Sequence, residues 1–173
     1  MILFDLINLK QLRRALLYAL CLLVTLTLQN ALFSQIAPMG VKAMFVPTLV
    51  VAIGLFEGGF WGGVFGMVAG LFCDMASTDT TVLYTVFFAA EGFLAGMLAD
   101  IYINRRFYSC LILSLAALVF TALLRIVPLW IYRGADIALL LRTGALQTLW
   151  SLPFAAPAYF ACRSIASRDN RMK

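Results

Sequence analysis

The feature that most constrains this chain is a series of long apolar runs. The runs near 15–33, 82–99, 107–132 and 137–161 approach or exceed the roughly 20 apolar residues that a helix needs to cross a bilayer. Hydrophobic residues make up 64% of the 173 positions and charged residues 12%, whereas a soluble domain has about 45 to 50% and about 25%. The sequence therefore predicts an all-α polytopic membrane bundle, a single transmembrane domain over residues 1–173.

The segment 43–73 is too long for one crossing. As a single helix it would extend about 46 Å, against a hydrocarbon core of about 30 Å. The sequence Glu-Gly-Gly at 57–59 puts a charge and two flexible residues near its middle. We predict two short spans there, at 43–56 and 60–73, with a re-entrant hairpin as the alternative. The six predicted transmembrane helices are 15–33, 43–56, 60–73, 82–99, 107–132 and 137–161.

Basic residues indicate how these spans are oriented, because short cytoplasmic loops are enriched in Lys and Arg. With six spans, nine basic residues lie inside and two, Lys42 and Arg133, lie outside. A single span at 43–73 would invert every later loop and place the basic carboxyl end outside. We therefore expect a multi-pass membrane protein with both termini cytoplasmic. The bulky Leu32 and Phe33 after the first run argue against a cleaved signal peptide. The nine inside are Lys10, Arg13, Arg14, Arg105, Arg106, Arg163, Arg168, Arg171 and Lys173.

Composition also limits the chemistry. The chain has no histidine, which removes most histidine-based catalysis and many transition-metal sites. Its four cysteines are dispersed and suggest neither a disulfide framework nor a zinc knuckle. The net charge is +5, but the basic residues lie between apolar runs rather than on the surface of a soluble domain. We therefore expect no nucleic-acid partner. No catalytic residues, cofactor or metal are predicted, and the lipid bilayer is the expected surroundings.

Small residues recur every fourth position in two spans. Gly62, Gly66 and Gly70 form one stripe, and Gly92 and Gly96 form a second. Such stripes let two backbones approach closely, which is how helices associate in lipid. Two interpretations follow: the third and fourth spans pack on each other, or the stripes receive another membrane protein.

Two sets of charged residues are candidate functional positions. Glu91 lies near the middle of the fourth span, where a charge needs a partner, and Arg125 in the fifth span is the best candidate. This pair would either fix helix register or form part of a ligand pocket or proton path, and an unpaired carboxyl group could instead sit protonated. Asp74 and Asp79 belong to a predicted periplasmic acidic turn, which would cap the loop or receive a partner.

One region carries a family resemblance. It comprises Gly-Gly-Val-Phe-Gly at 62–66, Gly-Leu-Phe-Cys-Asp-Met-Ala-Ser at 70–77, Leu-Tyr at 83–84 and Gly-Phe-Leu-Ala-Gly at 92–96. This pattern resembles the rod shape-determining MreD family of bacterial inner-membrane proteins, in which an acidic residue ends a glycine-rich span. Val82 and Glu91 depart from it, since a glycine and an apolar residue would be expected at these positions.

The resemblance implies a non-catalytic component of the cell-elongation and peptidoglycan-synthesis machinery that maintains rod cell shape. Its implied partners are MreC-like and MreB-like proteins and membrane peptidoglycan synthases. The family is similar in architecture to substrate-binding subunits of energy-coupling factor vitamin transporters, which is the alternative function. For a transporter, Glu91, Arg125, Asp74 and Trp61 would be expected to converge on an outward-facing pocket.

Overall fold

A computed structural model describes residues 9–31, 43–76, 83–101, 106–133 and 136–170. Within these ranges the chain is helical and contains no strand, so the all-α prediction is confirmed. The helices are α1 Leu9–Ala31, α2 Val46–Glu57, α3 Gly59–Ala76, α4 Leu83–Ile101, α5 Phe107–Arg133, α6 Ile137–Ser151 and α7 Ala155–Asn170, with a 3₁₀ turn at Leu152–Phe154.

Four helices in the described ranges are long and apolar enough to cross a membrane. They are α1, α3, α4 and α5, and each contains 18 to 20 suitable residues. These helices support the prediction of a membrane-embedded protein. The number of six crossings stays a prediction. The predicted last span at 137–161 is two helices, α6 and α7, because Pro153 lies in the 3₁₀ turn between them and cannot donate a backbone hydrogen bond.

A sharp break separates α2 from α3 at Gly58. This residue has φ +89° and ψ 174°, a backbone conformation that residues with a Cβ rarely adopt. Its N–H still donates to the Gly54 carbonyl (2.9 Å), and its own carbonyl accepts from the N–H of Gly62 (3.0 Å). The chain therefore reverses within one residue, and α3 folds back against α2.

Helix α2 lies at the centre of the described bundle. Every residue from Val46 to Leu55 is buried, and α1, α3, α4, α5 and α7 all contact it. A helix that is apolar on all sides is stable only when protein or lipid covers it all round, and here protein does. With 12 residues, α2 is about 18 Å long and is too short to cross the hydrocarbon core alone.

The chain enters α2 through buried, non-helical backbone at Met44 and Phe45. Backbone N–H groups away from water need partners, and here side chains from other helices provide them. The N–H of Met44 donates to Oγ of Ser151 (2.9 Å). Oε1 of Gln29 accepts from the N–H groups of both Phe45 (3.1 Å) and Val46 (3.3 Å). Polar side chains of α1 and α6 thus hold the start of the central helix.

The two ends of the bundle differ in charge. At one end, Nη1 of Arg14 lies 3.6 Å from Oε1 of Glu57, and Arg106 and Arg163 border a cavity beside the last turn of α2. We call this the basic end. The opposite end of α3 carries Asp74, and we call it the Asp74 end.

We expect Gln29→Leu to destabilise the protein strongly. The substitution would remove the side-chain oxygen that accepts from two buried N–H groups, and losing such an acceptor costs about 1 to 3 kcal/mol per group. Thr27→Val, on the same helix, is the matched control because the Thr27 hydroxyl bonds only carbonyls of its own helix. Denaturant unfolding in detergent micelles measures both, and equal stability of the two variants would contradict the assigned role of Gln29.

Candidate functional site

The backbones of three helices come close together at four glycines. Gly54 of α2, Gly62 of α3, and Gly92 and Gly96 of α4 form this glycine junction. A Cβ added at Gly62 would overlap the Gly92 carbonyl oxygen and lie 2.7 Å from the Cα of Gly54. A Cβ at Gly54 would lie 3.2 Å from the backbone nitrogen of Gly96. Only glycine allows three backbones to meet this closely.

The two predicted glycine stripes face each other. A Cβ at Gly66 would lie 3.0 Å from the Cα of Ala89, and one at Gly70 would lie 2.6 Å from the backbone nitrogen of Thr85. At the other end of α4, a Cβ at Gly96 would lie 2.5 Å from the Cα of Gly59. The structure therefore places all five predicted glycines between α3 and α4, where they contact backbone of this chain.

Sequence reasoning missed Gly54. The four-residue repeat of Gly62, Gly66 and Gly70 continues backwards through Gly58 to Gly54, so the signal was present. The predicted break at 57–59 hid it, because a stripe on one helix is not expected to continue across a chain reversal. The fold-back at Gly58 keeps Gly54 beside Gly62.

Glu91 lies next to this junction on α4 and is buried, with 8% of its surface exposed. Its Oε1 accepts a hydrogen bond from the Thr121 hydroxyl of α5 (3.1 Å). Within the described part of the chain, its Oε2 is buried and has no hydrogen-bond partner. A buried carboxyl oxygen without a hydrogen-bond partner lowers the stability of the fold. Packing alone therefore does not explain a glutamate at this position.

The predicted partner of Glu91, Arg125, lies four residues beyond Thr121 on the same helix. One helical turn separates the two positions, so Arg125 is on the face of α5 that Thr121 occupies. The Arg125 side chain lies outside the described residues. The ion pair stays a prediction, and Thr121 is the partner that sequence reasoning missed.

Asp74 links α3 to the start of α4. Its Oδ1 accepts from the N–H of Tyr84 (3.1 Å), and its Oδ2 accepts from the N–H (2.8 Å) and hydroxyl (2.6 Å) of Thr85. The first N–H groups of a helix lack intrahelical acceptors and favour a negative charge. Asp74 therefore acts as a cap supplied by the preceding helix. Asp79, the second member of the predicted acidic turn, lies outside the described residues.

Trp61 lies far from Asp74. It borders a small cavity of about 70 Å³ at the basic end, together with Arg14 and Glu57. Asp74 is 13 residues further along α3, about 20 Å away, while Glu91 faces α5. The convergence expected for a transporter pocket is therefore not found among Trp61, Asp74 and Glu91. Within the described residues, no group of three or more Cys, Asp or Glu side chains could hold a metal ion.

We expect Gly62→Ala to destabilise the protein and Gly63→Ala to leave its stability unchanged or raised. A Cβ at Gly62 overlaps backbone, and overpacking of this kind costs about 1 to 3 kcal/mol. A Cβ at Gly63 meets its nearest atoms at 3.5 and 3.6 Å, and alanine favours a helix by up to about 1 kcal/mol. Unfolding in micelles compares these neighbours. Tolerance of both substitutions would be evidence against close packing at the glycine junction.

The partners of Glu91 can be separated by double-mutant cycles. If Arg125 pairs with Glu91, then Glu91→Ala and Arg125→Ala each lower stability, and the double variant loses less than their sum by about 0.5 to 3 kcal/mol. The same cycle with Thr121→Val reports the observed hydrogen bond, worth about 1 kcal/mol. Strict additivity in the first cycle would rule out the ion pair.

Comparisons of the chain with protein-family models, curated proteins and solved structures found no match.

Proposed function

We propose that the chain is a non-catalytic integral membrane component of the machinery for cell elongation and peptidoglycan synthesis, which maintains rod cell shape. It would act through helix and loop contacts with MreC-like and MreB-like proteins and with membrane peptidoglycan synthases. The membrane would be the bacterial plasma (inner) membrane, with six crossings and both termini in the cytoplasm. The proposal starts from the resemblance of residues 62–96 to the MreD family.

One observation carries the proposal: the described interior is filled by the chain itself. Helix α2 occupies the centre, and α3 and α4 contact it and each other through glycine backbone. Glu91, Asp74 and Trp61 are engaged at three separate places rather than around one pocket. A protein that works by presenting its outer surface fits this interior better than one that receives a ligand in its core.

The outer faces of α3 and α4 offer such a surface. Met67 and Leu71 on α3, and Phe93 and Met97 on α4, are exposed large apolar residues. Lipid tails or helices of a partner protein can cover residues of this kind in a membrane. Since the glycines are used internally, these bulky side chains are the surface that α3 and α4 present to partners.

The charge arrangement supports the orientation within the proposal. Arg14 lies on α1, Arg106 directly precedes α5 and Arg163 lies on α7, and the fold brings all three to the same end. Under the positive-inside rule this basic end would face the cytoplasm. Helices α1, α4, α5 and α7 then run in the directions that six crossings require.

Depletion of the protein in the bacterium that encodes it tests the proposal. We expect rod-shaped cells to round up and wall synthesis to lose its localisation, because the scaffold for elongation is lost. Re-expression of wild type or Gly63→Ala should restore rods, whereas Gly62→Ala should restore them less well because its fold is destabilised. Normal shape together with a new vitamin requirement would overturn the proposal and support a transporter subunit.

A further inference from the structure

A second cavity lies at the basic end, away from Glu91 and the glycine junction. Its volume is about 390 Å³, within the range of about 300 to 1,000 Å³ that ligand pockets occupy. It lies where the end of α2, the start of α5 and the later part of α7 meet. Its lining residues are Phe56, Arg106, Phe107, Tyr108, Tyr159 and Arg163.

The charge of this cavity is positive. Arg106 and Arg163 are both exposed, and among the described residues neither forms an ion pair. Among the described residues no carboxylate lines the cavity, and the nearby Glu57 faces Arg14 at 3.6 Å. Two guanidinium groups without a counter-charge suit a phosphate group, to which each can donate two parallel hydrogen bonds.

Aromatic rings form the floor beneath these cations. The ring centroid of Tyr159 lies 5.4 Å from those of both Phe56 and Phe107, so one ring joins α2, α5 and α7. Tyr159 is 4% exposed, whereas Tyr108 at the rim is 76% exposed. A charged rim above an apolar floor matches an amphiphile with an anionic head.

We propose that this cavity binds the phosphate group of an anionic membrane lipid, with Arg106 and Arg163 as its ligands and the aromatic floor against the glycerol and first acyl carbons. The inference is independent of the proposed role in cell elongation. Helix ends at the basic end lie where a bilayer presents its headgroups, and basic pockets between transmembrane helices are known to select such lipids. The cavity has the volume of roughly a dozen waters, more than free phosphate would fill.

The experiment is a lipid titration of the purified full chain in neutral detergent, followed by native mass spectrometry. The probes are phosphatidylglycerol and phosphatidylcholine with identical acyl chains. Wild type should prefer phosphatidylglycerol, and Arg106→Gln with Arg163→Gln should weaken its binding roughly 30-fold, since each surface cation contributes about fivefold. Phosphatidylcholine carries the same phosphate, but its choline cation cancels the charge, so its weaker binding should change less than that of phosphatidylglycerol.

The matched control is Arg13→Gln with Arg142→Gln. These arginines are also exposed, the same two charges are lost, and neither residue lines the cavity. We expect this variant to bind phosphatidylglycerol within about threefold of wild type. A control variant that loses as much binding as the cavity variant would overturn the site, because general surface charge would then explain the preference.

Two further measurements close the test. Thermal unfolding of the cavity variant should match that of wild type, which separates misfolding from lost contacts. The single variants Arg106→Gln and Arg163→Gln should each show a partial loss of lipid binding. Millimolar inorganic phosphate should leave lipid binding unchanged. Full displacement by inorganic phosphate, with the same dependence on both arginines, would assign the cavity to soluble phosphate and overturn the lipid assignment.

Discussion

The rest of this structure depends on the close approach of backbone at the glycine junction. Gly62 lies against both Gly92 and Gly54, so three helices share one point of contact without side chains between them. In a bilayer, where lipid gives helices little hydrophobic reason to associate, such van der Waals contact is a main source of helix affinity. The positions of Glu91 against Thr121 and of Asp74 against Thr85 follow from it, since both contacts need α4 to stay in register with its neighbours.

The sequence predicts much of this architecture, because apolar runs and four-residue glycine spacing are local patterns. The break near residue 58 follows from composition, whereas the spacing of the two glycine stripes gave their pairing as one of two interpretations, and the structure shows them in contact. Other features depend on distant parts of the chain meeting. The acceptors for the start of α2 come from Gln29 and Ser151, and no local pattern near Phe45 points to either residue. Likewise, Thr121 carries no sequence signal as the partner of Glu91, since a lone threonine in an apolar helix usually bonds its own backbone.

The candidate pocket residues lie at three separate places in the fold. Charged and aromatic residues within apolar runs suggest one shared site, yet here each of them makes a different local contact. Asp74 caps a helix, Glu91 meets α5, and Trp61 lies beside the Arg14 and Glu57 pair. A shared site requires the same helix face and the same depth, and residues 13 positions apart on α3 differ in depth by about 20 Å.

The buried start of α2 also bears on how the protein is made. Met44 relies on Ser151, which lies 107 residues later in the chain. Until α6 has been synthesised and has reached α2, the N–H of Met44 has no such acceptor, and a helix of 12 residues is too short to remain across a bilayer alone. The hydrogen bond at the start of the central helix can therefore form only after almost all of the described chain has been synthesised.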